Sequence, residues 1–377
     1  MKIAIVAPSV WYRIAPPEET KYGGAERIVY WLCEKLVEWG HDVTLFATGD
    51  SITSAKLVPT YPYSVLGMNK KEKICWNDIT DNLIHLQRAM FMAKNQGIKV
   101  VHSHVYGDPL VASSAKALGI QVLSTIHNSM SARDMGRANI IPYIFARNSE
   151  YQHFVALSKS QILHDDARLP WIDIVYNGLD IVYYEHRINI KKSSNTLLYL
   201  SRIDPQKGIE YAIDAARKAG MRLIIAGRIH PGKEEEFFKN RIEPCLQEGV
   251  LEYVGEVSDK EKLRLFSEVA ALIFPAFWND VCPVTPLEAN ACMTPVIAFD
   301  CGSLRELIEH NVSGFIVPPL NEYRQPNIQG LVDAIKRIDQ IDPKDCFDHV
   351  KRKFTADIMV ENYLNIYREL GDQKMEL

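Results

Sequence analysis

Apolar residues in this chain follow two alternating patterns. Short continuous apolar runs alternate with longer stretches in which apolar positions recur every three or four residues. The runs predict strands over residues 2–7, 42–46, 99–103, 121–126 and 154–157. A second set follows over 196–200, 222–226, 251–254, 270–274, 295–299 and 314–317. The longer stretches predict amphipathic helices. The first covers 25–39, with Ile28, Val29, Leu32, Leu36 and Val37 on one face, Glu26 in the first turn and Gly40 as its stop. Two later helices open on the capping-box spacings Ser258–Glu261 and Ser303–Glu306. The last helix, 356–370, carries Met359, Val360, Tyr363, Ile366 and Tyr367. Strands that alternate with helices predict an α/β chain of parallel, doubly wound sheets with helices on both faces.

The rhythm fails over 181–195, where the middle is polar and lacks a helical period. An interdomain linker is expected there. It would separate an N-terminal domain, 1–180, from a C-terminal domain, 196–355. A second loop-like stretch, 319–327, is bracketed by Pro319 and Pro326. A length of 377 residues also predicts two domains. The apolar share of 47% and charged share of 24% are those of a soluble globular protein. A net charge of −4 gives no bulk attraction to nucleic acid. The seven cysteines are odd in number and form no Cys-x-x-Cys pair, so reduced thiols in a cytoplasmic protein are expected rather than disulfides or zinc. The chain enters a strand at its first residues, which predicts no signal peptide, and no stretch is long enough to span a bilayer. Peripheral membrane contact stays open.

Several side chains fall where parallel sheets place their ligands, at the C-terminal ends of strands. Asp280 and Glu288, seven residues apart, sit in a strand-to-helix loop and early in the following helix. Paired carboxylates also suit glycoside hydrolysis, as acid and nucleophile. Gly23 and Gly24 precede the first helix, where backbone amides and the helix dipole favour phosphate; a plain tight turn is the other reading. Arg202 and Lys207 follow the first strand of the second half and could clamp a diphosphate, or be solvated surface cations. His102 and His104 would share a strand face, but no third metal ligand accompanies them. His127 ends the next strand and could bond a substrate hydroxyl. The run Gly227 to Glu234 copies the spacing of a phosphate-binding P-loop. Glu234 stands where the magnesium-binding hydroxyl is required, which argues against one.

In order along the chain come Lys-Ile-Ala-Ile-Val-Ala-Pro8, Tyr22-Gly-Gly-Ala-Glu-Arg27, Gly40-His-Asp-Val-Thr-Leu-Phe46, His102-Ser-His104 and Thr-Ile-His127. Then follow Asn177-Gly-Leu-Asp180, Ser201-Arg-Ile-Asp-Pro-Gln-Lys-Gly208, Val254-Gly-Glu-Val257, the 280–298 segment, Gly302-Ser-Leu-Arg-Glu306 and Ser313-Gly-Phe-Ile-Val317. This series resembles the retaining GT-B glycosyltransferases of family 4. The resemblance implies two Rossmann-like domains facing across a cleft, with a final helix, 356–377, crossing back to the first. It implies a nucleotide-sugar donor and a saccharide or lipid-linked acceptor, with no metal and no other cofactor. By resemblance, Arg202 and Lys207 contact the diphosphate, Glu288 the ribose and Asp280 the sugar hydroxyls. Val284 and Thr285 offer amides, Glu256 and Val257 border the base, Gly23 and Gly24 close over the diphosphate, and His127 approaches the sugar. The domains are expected to close around the donor. Asp280, Pro283 and Met293 stand where the family usually has Glu, Gly and Gly. A catalytically weak or non-catalytic nucleotide-sugar binder is therefore the alternative reading.

Overall fold

The computed structural model describes residues 1–21, 23–67, 78–105, 109–131, 147, 152–185 and 195–372. The chain forms two compact units. One comprises Met1–Gly178 with Ala356–Leu377, and the other comprises Leu179–Thr355. The chain therefore passes between units after Gly178 and after Thr355. Of the expected linker, Ile181–Glu185 is a short helix in the second unit, and residues 186–194 lie outside the described ones.

The first unit is built on β1 (Lys2–Val6), β2 (Asp42–Thr48), β3 (Lys56–Tyr61), β4 (Val100–Ser103), β5 (Gln121–Thr125), β6 (His153–Ala156) and β7 (Trp171–Ile174). They form one parallel sheet in the order β3-β2-β1-β4-β5-β6-β7. Helix α1 (Gly24–Glu38) buries Ile28, Val29, Leu32 and Leu36. On the opposite face, α2 (Asp78–Asn95) buries Leu86 and Met90 against Val6, Phe46 and Val101. The C-terminal helix (Ala356–Asp372) packs on α1 and β4, burying Met359, Val360, Tyr363, Ile366 and Tyr367.

The second unit holds β8 (Thr196–Leu200), β9 (Arg222–Ala226), β10 (Leu251–Gly255), β11 (Ala271–Phe274), β12 (Val296–Phe299) and β13 (Gly314–Val317). Their order is β10-β9-β8-β11-β12-β13, again parallel. In each sheet the chain direction of winding reverses at one pair, β1/β4 in the first and β8/β11 in the second. A crevice opens at such a reversal, outside the strand C-termini. The loops that follow β1, β4, β8 and β11 are therefore where function is to be sought.

Strands β3 and β7 were not expected from the sequence. Both are sheet edges, pairing on one side, and Pro59 sits within the first, where its missing N–H is tolerated. The Ser258–Glu261 capping box forms with both reciprocal bonds. The one expected at Ser303–Glu306 does not. Ser303 has helical backbone angles and its side chain caps nothing; its carbonyl, not its hydroxyl, accepts the Glu306 N–H at 2.8 Å.

The helix Val284–Ala291 ends in a left-handed turn at Met293, φ 57°. The Met293 N–H reaches the Asn290 carbonyl at 2.9 Å and the Thr294 N–H reaches that of Ala289 at 2.8 Å, a Schellman closure. Glycine is the residue this position favours. Met293→Gly is expected to stabilise the second unit by about 0.5–1 kcal/mol, the left-handed penalty less the extra entropy of unfolded glycine. Denaturant midpoints would check it; a lower midpoint would mean that methionine packing outweighs the strain.

Candidate active site

At the β8/β11 reversal, the loop after β8 is held from several sides. Gly208 adopts φ 75°, and a Cβ there would lie 1.9 Å from the Pro275 carbonyl oxygen, so glycine alone permits this approach to the loop after β11. The Phe277 N–H donates to the Gln206 carbonyl at 2.9 Å. From the buried floor, the Tyr199 hydroxyl donates to the carbonyls of Arg202 and Lys207, at 3.3 and 3.4 Å. The Asp204 side chain caps the turn Pro205–Lys207.

Both cations expected on this loop are engaged by carboxylates. The Lys207 ammonium lies 2.7 Å from each Asp280 carboxylate oxygen. Arg202 donates to Asp204 at 2.8 Å, and its Nε lies 3.2 Å from Glu234. That Nε contact is an ion pair rather than an aligned hydrogen bond. Glu234 also accepts the His230 N–H at 2.8 Å. Two positive groups thus meet three carboxylates, so an incoming anion competes with protein acids for them. Asp280 is fixed through its backbone: its carbonyl accepts the Ser303 N–H at 2.9 Å, and Gly302, at φ 56°, lies flat against it.

Glu288 lies on the next helix (Val284–Ala291) and is buried. Its Oε1 accepts from the Lys262 ammonium at 2.5 Å and from the Tyr184 hydroxyl at 3.0 Å. Lys262 also contacts Asp259 at 3.1 Å, and Asp259 accepts from Tyr183. Pro283 precedes this helix without a side-chain cap, leaving its first turn, Val284 and Thr285, with amide donors directed out of the N-terminus. Glu256, exposed, and Val257, half-buried, follow the C-terminal end of β10.

In the first unit, Gly23 takes φ 108° before α1, and a Cβ there would sit 2.8 Å from a carboxylate oxygen of Glu26. Gly24 is the first helical residue; Tyr22 lies outside the described residues. Burial raises the Glu26 carboxyl to about 7. Across the β1/β4 reversal stands a histidine cluster. His102 bonds the Tyr367 hydroxyl through Nδ1 at 2.6 Å and Thr125 through Nε2 at 2.8 Å, and Thr125 bonds the Tyr363 hydroxyl at 2.9 Å. His104 Nδ1 meets His127 Nε2 at 2.9 Å. The His102 and His104 rings do share a face, 4.1 Å apart. With both nitrogens of His102 bonded to protein hydroxyls, it is no metal ligand here, and no group of three metal-binding side chains occurs among the described residues. Burial lowers His102 to about 3 and His127 to about 4, and holds His104 well below the usual imidazole value, so all three rings are neutral at neutral pH.

The structure thus brings Arg202, Lys207 and Asp280 together in one unit, and His127 with His104 in the other. Sequence reasoning overlooked Lys262 and Tyr184, which belong to no motif, and gave no role to Asp204 within the Ser201–Gly208 motif. It met Glu234 only as the residue that spoils a P-loop.

Residues 22–183 match Glycosyltransferase Family 4, and residues 184–342 match Glycosyl transferases group 1; together the matches span most of the chain. An uncharacterised glycosyltransferase of Methanocaldococcus jannaschii is 25% identical over 77% of this chain and 80% of its own. The O-antigen chain mannosyltransferase C of Escherichia coli is 25% identical over 54% of this chain and 53% of its own. Among solved structures, sucrose-phosphate synthase from Thermosynechococcus elongatus superposes with a TM-score of 0.75 at 18% identity, over 98% of both chains. An Anabaena protein in complex with UDP-glucose gives 0.69 at 18% identity, over 98% of this chain and 100% of its own. The two parallel sheets are those of the GT-B fold.

Proposed function

The chain belongs to the group 1 glycosyltransferases of family 4, enzymes that take sugar from nucleotide sugars, and on that footing we propose metal-independent transfer with retention to a saccharide or lipid-linked acceptor. The observation that carries this reading is the Arg202–Lys207 loop at the β8/β11 reversal, stiffened by Gly208 and Tyr199. In transfer, the bond between the anomeric carbon and the diphosphate oxygen breaks. A bond to the acceptor oxygen forms on the same face, and the acceptor proton passes to the departing diphosphate. Negative charge builds on that leaving group, and two preorganised cations stabilise it.

Diphosphate arriving at Lys207 would release Asp280, whose carboxylate could then accept from sugar hydroxyls. Glu288, already oriented by Lys262 and Tyr184, would take the ribose. The Val284 and Thr285 amides would face phosphate or sugar, and Glu256 with Val257 would border the base. Gly23 and Gly24 would approach the diphosphate, and His127 a sugar hydroxyl. The O-antigen relative supports a role in cell-envelope polysaccharide synthesis, and the UDP-glucose neighbour supports a uridine donor. No described helix is long and apolar enough to cross a membrane.

A panel of nucleotide sugars tests the proposal. Expected are turnover with one donor, a product whose anomeric configuration by proton NMR matches that donor, and a rate unchanged by a chelator. Inversion, or chelator-sensitive turnover, would correct the mechanism. Tight donor binding without turnover on any acceptor would support the binding-protein reading, which the Lys207–Asp280 pairing also motivates. Sugar release from an unactivated oligosaccharide would support a hydrolase.

A further inference from the structure

The geometry points to His104 as a positioning residue: it donates Nδ1–H to His127 Nε2 and so leaves His127 with its proton on Nδ1, a fixed hydrogen-bond donor toward substrate. The inference rests on the reading that His127 meets the donor sugar.

One of the two nitrogens in the 2.9 Å His104–His127 contact must donate, and the two assignments differ in what they leave behind. His104 is 3% exposed, and its Nε2 is buried without a hydrogen-bond partner. If His127 donated, His104 would carry its proton on Nε2 and bury an orphaned N–H. If His104 donates, the orphaned atom is a bare acceptor. Buried unpaired N–H groups are the rarer and costlier case. Among the described residues, His104 has no other hydrogen-bond partner to reverse this choice. His102, ring against ring, spends Nδ1 on Tyr367 and Nε2 on Thr125, and the Thr125 hydroxyl is shared with Tyr363. The tyrosines and Thr125 thus hold the neighbouring ring in place, and His104 is held between that ring and His127.

The consequence is chemical. An imidazole in solution exchanges between tautomers and can accept or donate toward a sugar hydroxyl. Fixed by His104, His127 can only donate from Nδ1, and so recognises a substrate oxygen through its lone pair. A positioned donor of this kind acts where an oxygen gains charge or must be oriented.

Two-bond nitrogen–proton correlation spectra of the imidazoles in the whole protein test the assignment directly. Signals are assigned by their loss in His104→Asn and His127→Asn. Both rings are expected to be protonated on Nδ1 and bare on Nε2; a proton on Nε2 of either ring overturns the inference. Kinetics provide the second arm. His104→Leu removes the donor and is expected to lower kcat about ten-fold with little change in donor KM. His104→Asn keeps an amide donor near the Nδ1 position and should recover most of the loss. Equal losses in the two variants would mean that His104 acts by packing alone. If the spectra agree but His127→Asn transfers sugar at the native rate, the tautomer assignment stands and the placement of His127 at the sugar fails.

Discussion

Lys207→Ala is expected to lower kcat/KM for sugar transfer about 100- to 1,000-fold, the range seen when one preorganised donor to a developing anion is removed. The ammonium sits 2.7 Å from both oxygens of Asp280, so its loss has two effects. The departing diphosphate loses a cation, and Asp280 is left as an uncompensated carboxylate facing the phosphates. The double variant Lys207→Ala/Asp280→Asn separates them. Recovery of nucleoside diphosphate binding, measured by calorimetry, would assign the binding loss to the stray carboxylate. Turnover should stay low in both variants. Native turnover in the single variant would remove Lys207 from the mechanism.

The other large effect is on stability. Lys262→Met should cost the second unit about 3–5 kcal/mol, because it leaves two buried carboxylates, Asp259 and Glu288, facing each other without their cation. For a unit of this size the melting temperature should fall by roughly 10 °C. Far-UV circular dichroism on heating would follow it. Making both acids neutral in the Lys262→Met background, with Asp259→Asn and Glu288→Gln, should restore most of the loss. A single variant that melts with the native protein would show the network to be relaxed by water.

The interior strands were legible because their both-sided burial writes continuous apolar runs into the sequence. Thr196–Leu200, Arg222–Ala226 and Val296–Phe299 fall where the pattern puts them. The edges of the first sheet were not legible, unlike those of the second, Leu251–Gly255 and Gly314–Val317. Lys56–Tyr61 is only partly buried and contains proline, and Trp171–Ile174 follows Pro170, both signatures of a loop. At the site, cations and carboxylates at strand ends could be read individually. Their pairing could not, because Lys207 and Asp280 lie far apart in sequence and meet only where β8 and β11 become neighbours. Lys262 gave no signal at all, since a lysine in a charged helix normally faces water. Tyr363 and Tyr367 could be read as apolar stripe positions, but nothing in a stripe announces that their hydroxyls will serve Thr125 and His102.

That dependence on the last helix has a consequence for timing. The second unit, Leu179–Thr355, is continuous in the chain, whereas the first is interrupted by it. A ribosome delivers residues in order, so the whole of the first sheet emerges long before Tyr363 and Tyr367. Until then His102 and Thr125 lack the hydroxyls that satisfy them, and the apolar flank of α1 is uncovered. The second unit can close on itself in that interval. Its own ends are joined by the Leu179 N–H to the Phe354 carbonyl at 2.9 Å, one residue before the chain turns back. The order of completion is thus the reverse of the order of synthesis: the half made first is finished last.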